Sequence, residues 1–263
     1  MIDSFGLALA DLDVTPTVRA AAAWTPAALP SLLAWFDPSY GVYSDAGTTP
    51  AVVGDPVYRW VTRNNSSIYA EQATLANRPI LRQGANGRYY LEFDGSNDKL
   101  LCPSDQNTNT WFANYQAAAT GFANAKRIRS GAYHAIFSTD NAPGNAGFQM
   151  TFSASPANVL FVGYGSTYRD GNNTTAGWVR YCGTAQWNGS VNVGKMYQDN
   201  TETSAAGNNS ASTLGSGHLS IGAFPLTSYN FGGYIGDIAI QGAVASSTER
   251  AAMDTYMATQ QAT

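Results

Sequence analysis

From Leu29 onward the chain is a succession of short β-type runs cut by turn residues, which leaves room for strands and little else. Residues 57–61 (VYRWV) alternate between apolar and polar side chains, with Gly54, Asp55 and Pro56 ahead and Asn64, Asn65 and Ser66 behind. Residues 88–93 (RYYLEF) form a similar run, stopped by Asp94, Gly95, Ser96 and Asn97. Further runs cover 132–138, 147–153, 159–164, 178–187, 194–199, 218–223 and 234–241. So many short strands with Gly, Asn, Ser and Pro between them predict a β-sandwich or barrel. The 26 glycines are spread over the turns, so no linker divides the chain, and 29–263 reads as one domain. Residues 1–28 differ, with Ala20 to Ala23 in a row and Pro16 and Pro26, and read as an arm or attachment segment.

A helix is expected at the C-terminal end. Ser246 stands three residues before Glu249, the spacing of a capping box, and Met253, Tyr256 and Met257 then make one apolar stripe to dock on a sheet. A second helix is read over 111–119.

Composition removes several functions. Charged residues are 12% of the chain against ~25% in an ordinary soluble domain. The net charge is -4, and Lys occurs only at Lys99, Lys126 and Lys195, so no nucleic-acid footprint is present. With 15 Tyr, 11 Phe and 6 Trp the chain has ample apolar surface to fold. No window reaches the ~18 apolar residues of a membrane span, so no membrane insertion is expected. Met1 to Phe5 lack the basic and apolar regions of a secretory signal, and release within a virus particle is one route out of a cell without it. Cys102 and Cys182 are read as buried free thiols.

Catalytic constellations are sparse. His134 lies in an apolar run and reads as a hydrogen-bonded structural residue, while His218 heads a strand; neither belongs to a nucleophile motif. Glycoside hydrolysis requires two carboxyls flanking the bond, and Glu71, Glu92, Glu202 and Glu249 are each isolated. Asp237 has no acidic neighbour on its own strand, which leaves open only a pair formed across strands. Asp140 with Asn141, and 170–173 (DGNN), resemble half a calcium site, but Asx residues favour turns for their own reasons. No catalytic residue, metal or cofactor is expected, and the chain is read as not an enzyme.

Surface chemistry remains. Aromatic rings stack on the apolar face of a pyranose, and amides, carboxylates and guanidinium groups bond its hydroxyls. Tyr164, Tyr168, Arg169, Asp170 and Asn172 offer this mixture in what reads as one loop, with Trp111, Tyr229 and Asn230 as further candidates.

Several segments, taken in order, resemble the concanavalin A-like lectin/glucanase superfamily, in particular its laminin-G-like modules of bacterial and phage proteins. They are 29–37 (LPSLLAWFD), 57–60 (VYRW), 76–81 (ANRPIL), 91–100 (LEFDGSNDKL), 195–200 (KMYQDN), 219–223 (LSIGA), 233–240 (GYIGDIAI) and the helix from Ser246 to Met257. The resemblance spans about 29 to 260 and implies an antiparallel two-sheet jelly-roll with a short C-terminal helix. It also implies that the Asp94 and Asp199 turns are structural. The expected function is a non-catalytic binding module on a virus or phage particle, adhering to a cell-surface glycan. The alternatives are a purely structural decoration or tail protein and, further off, a polysaccharide hydrolase. Residues 1–28 would meet other virion proteins; self-association is allowed, with no stoichiometry specified.

Overall fold

The computed structural model describes residues 23–103, 118–129, 133–139, 148–152, 159–163, 166–170, 177–187, 192–205, 218–224 and 229–263. Among them, two antiparallel sheets face each other. Sheet I runs β15 (Thr201–Glu202), β14 (Asn192–Gln198), β13 (Val179–Trp187), β8 (Ala118–Arg127), β18 (Gly232–Gln241), β6 (Tyr89–Asp94) and β5 (Ile80–Gln83), with β1 (Leu32–Phe36) also paired to β18. Sheet II runs β16 (Ser204–Ala205), β12 (Ser166–Asp170), β11 (Val159–Gly163), β10 (Phe148–Phe152), β9 (His134–Ser138), β17 (Ser220–Ile221), β7 (Leu100–Leu101), β4 (Tyr69–Glu71), β3 (Arg59–Val61) and β2 (Val42–Tyr43). The all-β sandwich read from the sequence is the observed fold. The runs at 88–93, 132–138, 147–153, 178–187 and 234–241 each contain a strand.

Alternation along each strand decides which residues meet between the layers. On β8, which lies between β13 and β18, the inward positions are Ala119, Gly121, Ala123 and Ala125, all small. Large rings fill the space from sheet II. Phe137 and Phe148 stack at 5.5 Å and 23°, and a Cβ added at Gly121 would stand 2.7 Å from Phe137 Cζ and 3.0 Å from Phe148 Cζ. Phe152 continues the layer, with its ring 5.7 Å from Tyr181 of β13 and 5.8 Å from Phe231. The outward position Phe122 serves a second cluster, with Leu29, Cys182, Tyr197, Ala239, Ala245, Met253 and Met257.

That outer cluster lies under helix α1 (Ser247–Gln260). The expected capping box is present: the Glu249 amide donates to Ser246 Oγ at 3.2 Å, and the Ser246 amide donates to Glu249 Oε2 at 2.6 Å. Met253 and Met257 are buried as the stripe predicts. Beyond the helix, the Ala85 amide donates to Thr263 O at 2.6 Å and Asn86 Nδ2 to Gln261 O at 2.8 Å, tying the end of the chain to the β5–β6 turn.

The helix read over 111–119 is corrected in part. Ala118 and Ala119 begin β8, because strand pairing overrides the helical preference of alanine; 111–117 lie outside the described residues. The turn aspartates do what the resemblance implies. Asp94 Oδ1 accepts the Ser96 amide at 2.7 Å and the Asn97 amide at 3.2 Å. Asp199 and Asn200 take left-handed φ angles of 48° and 59° between β14 and β15. Both cysteines are free and buried.

Gly121→Ala should lower stability by about 1–3 kcal/mol, the usual cost of overpacking a filled core, because two stacked rings must shift together. Thermal or chemical denaturation measures it, and an unchanged melting temperature would show that the interface is not close-packed.

Candidate functional site

Helix α1 covers only part of the outer face of sheet I; the rest of that face bears aromatic side chains. Tyr90 and Glu92 alternate on β6 with the buried Leu91 and Phe93, so they point outward. Tyr234 likewise precedes the buried Ile235 on β18, Lys126 follows the buried Ala125 on β8, and Trp178 stands ahead of the buried Val179 of β13. Strand pairing brings them together. Tyr234 is opposite Glu92 on one side and Lys126 on the other, and Tyr90 is opposite Arg82.

The result is a half-buried ring platform. Tyr90 and Tyr234 have centroids 4.7 Å apart at 47°, Trp178 and Tyr234 6.2 Å apart at 37°, and Tyr90 stands edge-on to Trp178 at 5.7 Å and 77°. Rings in contact at these angles present apolar faces and edges together, with polar tips at their rims. Burial, and next the charges of Tyr234 and Glu92, push the Tyr90 phenol up, so it stays a neutral hydroxyl at ordinary pH. Lys126 Nζ lies 5.7 Å from the Tyr234 centroid, within cation–π range. Arg82 Nε donates to Glu92 Oε2 at 2.6 Å, so these two charges neutralise each other at the edge.

A second feature lies on the same outer face. Between Ile235 and Ile238 the register of β18 against β8 shifts, so Ile235, Ile238 and Ile240 all face the core while Asp237 faces out. Asp237 is 2% exposed; its Oδ1 accepts Trp35 Nε1 of β1 at 3.1 Å and the Tyr256 hydroxyl of α1 at 3.2 Å. Asp37, just after β1, lines the same cavity of about 150 Å³ with Ser39, Arg88, Tyr89 and Gln260. Asp37 Oδ1 accepts the Ser39 amide at 2.8 Å and Oδ2 accepts Arg63 at 2.8 Å. Burial, and next the charge of Asp37, push the Asp237 carboxyl up to about 7 despite its two hydrogen bonds. The Asp237 carboxyl ties β1 and α1 to β18, while that of Asp37 holds Ser39 and Arg63.

Of the residues expected to bind a ligand, Trp111, Tyr164 and Asn172 lie outside the described residues. Tyr168, Arg169 and Asp170 were read as loop residues; they belong instead to β12, paired with β11 and β16, because strand pairing outweighs the polar character of 166–170. Tyr229 is 37% exposed and meets Tyr133 and Phe224 edge-on at 5.9 and 6.0 Å. Asn230 is 5% exposed and serves the fold: its Nδ2 donates to Ser96 O, and its carbonyl accepts His134 Nδ1 at 2.6 Å. The platform residues escaped the sequence reading. The clue was parity, since Tyr90 occupies an outward position where a half-exposed strand normally carries a polar side chain.

No protein-family model matches the chain, and no curated protein does. Solved structures do. A Trypanosoma rangeli sialidase superposes with a TM-score of 0.59 at 15% identity, over 89% of this chain and 34% of its own. Domain 4 of AbnA, a GH43 extracellular arabinanase of Geobacillus stearothermophilus in complex with arabinotriose, gives 0.52 at 14%, over 84% of this chain and 97% of its own. The receptor binding domain of botulinum neurotoxin C/D mosaic serotype gives 0.50 at 10%, over 88% and 51%. At these identities the likeness is one of fold, a β-sandwich. The chain spans about a third of the sialidase's length. These matches correct one expectation: the sandwich recurs within sialidases, which are enzymes, so an absent glutamate pattern is no ground for excluding catalysis.

A carboxyl raised from its ordinary 3.8 to about 7 keeps its proton in the folded chain after the unfolded chain has lost it. Its stabilising contribution is complete below 3.8 and disappears as pH rises through about 7, with a slope of up to ~1.4 kcal/mol per pH unit. Asp98, raised to about 6 chiefly by burial, slopes the same way, so the difference between variants is the informative quantity. Asp237→Asn keeps the Oδ1 acceptor and removes the charge. Denaturation across pH 5 to 8 should find this variant gaining on the parent as pH rises toward about 7 and levelling off above it; parallel profiles would refute the buried-acid assignment.

Proposed function

We propose that the chain is a carbohydrate-binding β-sandwich of the concanavalin A-like type, whose ligand surface is the Tyr90, Trp178 and Tyr234 platform on the uncovered face of sheet I. The observation that carries this reading is the convergence of those three rings, from β6, from β18 and from the residue just ahead of β13, on the outer face of sheet I. A pyranose offers one face of C–H bonds and a rim of hydroxyls. The clustered rings match the first, and the Tyr90 phenol, the Glu92 carboxylate and the Arg82 guanidinium match the second.

The AbnA domain supports the reading from outside, as an almost whole chain of this fold solved with an oligosaccharide. For display, the chain needs a point of attachment, which we assign to residues 1–28 ahead of the 29–263 domain, with the surface of a virus particle as its setting. Deleting residues 1–22 should then abolish incorporation into particles while leaving glycan binding intact. Residues 23–28 are spared because Trp24 packs edge-on to Tyr256 of α1 at 6.3 Å.

Trp178→Ala and Tyr234→Ala should each weaken oligosaccharide binding about tenfold, ~1.4 kcal/mol of lost contact, with the fold retained. A glycan array followed by calorimetry on the full chain measures this, with melting temperatures as the control for folding. Binding that survives loss of both rings would place the ligand elsewhere.

A further inference from the structure

Within that platform the charges are unequal. Arg82 and Glu92 pair with each other at 2.6 Å. Lys126 takes part in none of the ion pairs formed among the described residues. Toward α1 the balance is acidic: the single Arg180 faces two carboxylates, Asp199 at 3.1 Å and Asp254 at 2.7 Å. The platform therefore carries one net positive charge on a chain whose overall charge is -4. The ammonium is also held in place. Lys126 is half-buried on β8, directly across from Tyr234 of β18, with Nζ 5.7 Å from that ring's centroid. A sugar lying on Tyr234 and Trp178 brings its substituents within reach of this charge.

We propose, resting on the platform reading above, that Lys126 makes the site selective for acidic saccharides, sugars bearing a carboxylate on the pyranose ring. The rings take the C–H face, and the ammonium forms a charge-assisted hydrogen bond with the carboxylate, beside the π-face of Tyr234 and outside the ion pairs of the described residues. Neutral sugars of the same length keep the stacking and lose the ion pair. The Arg82–Glu92 pair on the far side of Tyr234 supplies hydroxyl contacts without adding net charge.

The test uses the full chain and two sets of probes. Trigalacturonate, a hyaluronan hexasaccharide and 3′-sialyllactose carry carboxylates; galactotriose and lactose are neutral. At least one acidic probe should bind tenfold or more tightly than the neutral ones, and that preference should shrink as salt rises from 50 to 300 mM. Lys126→Gln should erase the preference, weakening acidic binding tenfold or more and neutral binding by much less, with the chain still folded by its melting transition, and Lys126→Arg should retain the preference. Equal or tighter binding of the neutral probes, lost in Trp178→Ala, would overturn the acidic selectivity and leave the platform standing. An acidic preference untouched by Lys126→Gln would also overturn it. Binding of none of the probes, or binding indifferent to Trp178→Ala, would overturn both.

Discussion

The sandwich depends on a mismatch of side-chain size between its layers. A central strand of sheet I presents Ala119, Gly121, Ala123 and Ala125 inward, and sheet II answers with Phe137, Phe148 and Phe152. Interiors pack to near-crystal density, so rings on one side demand small residues on the other. Were β8 built of leucine or valine, the layers would be forced apart and every strand pairing around it would shift.

The same strand governs the outer face. With its inward positions occupied by small residues, the bulky Phe122 turns outward and gives α1 a place to seat Met253 and Met257. The irregularity in β18 then reverses the strand's parity, keeping three isoleucines inside and sending Asp237 out to Trp35 and Tyr256. One local shift thus settles both how the core is filled and where a buried acid holds α1. It also separates the outer face into a covered part and an open part, and the open part is where Tyr90, Trp178 and Tyr234 meet.

Function on such a scaffold belongs to whatever the open faces carry. The sandwiches that superpose on this chain occur in a sialidase, an arabinanase domain and a toxin receptor-binding domain, so the fold alone is compatible with different activities. What this chain carries locally, among the described residues, is three clustered rings, an ammonium outside the ion pairs and one internally neutral ion pair. In the reading proposed above, apolar contact would supply the area for a sugar and the charge arrangement the discrimination among sugars.

Local chemistry was readable directly. Alternating runs between Gly, Asn and Pro marked most strands, and Ser246 with Glu249 marked the helix start, because a two-residue period and a capping box are determined by neighbours in the chain. Strands without that pattern were not readable. The Ala, Gly, Thr and Asn of β8 and the Ser, Thr, Arg and Asp of β12 become strands only through partners on either side. The same holds for the sites. Asp37 and Asp237 are separated by most of the chain, and Tyr90 lies on β6, Tyr234 on β18 and Trp178 just ahead of β13, so their proximity exists only after the sheet has paired. The sequence by itself determined an all-β sandwich closed by a capped helix. Which carboxyl is buried and which rings are left in the open were decided by register and by the reach of the helix, interactions between residues too distant in the chain for any local pattern to record.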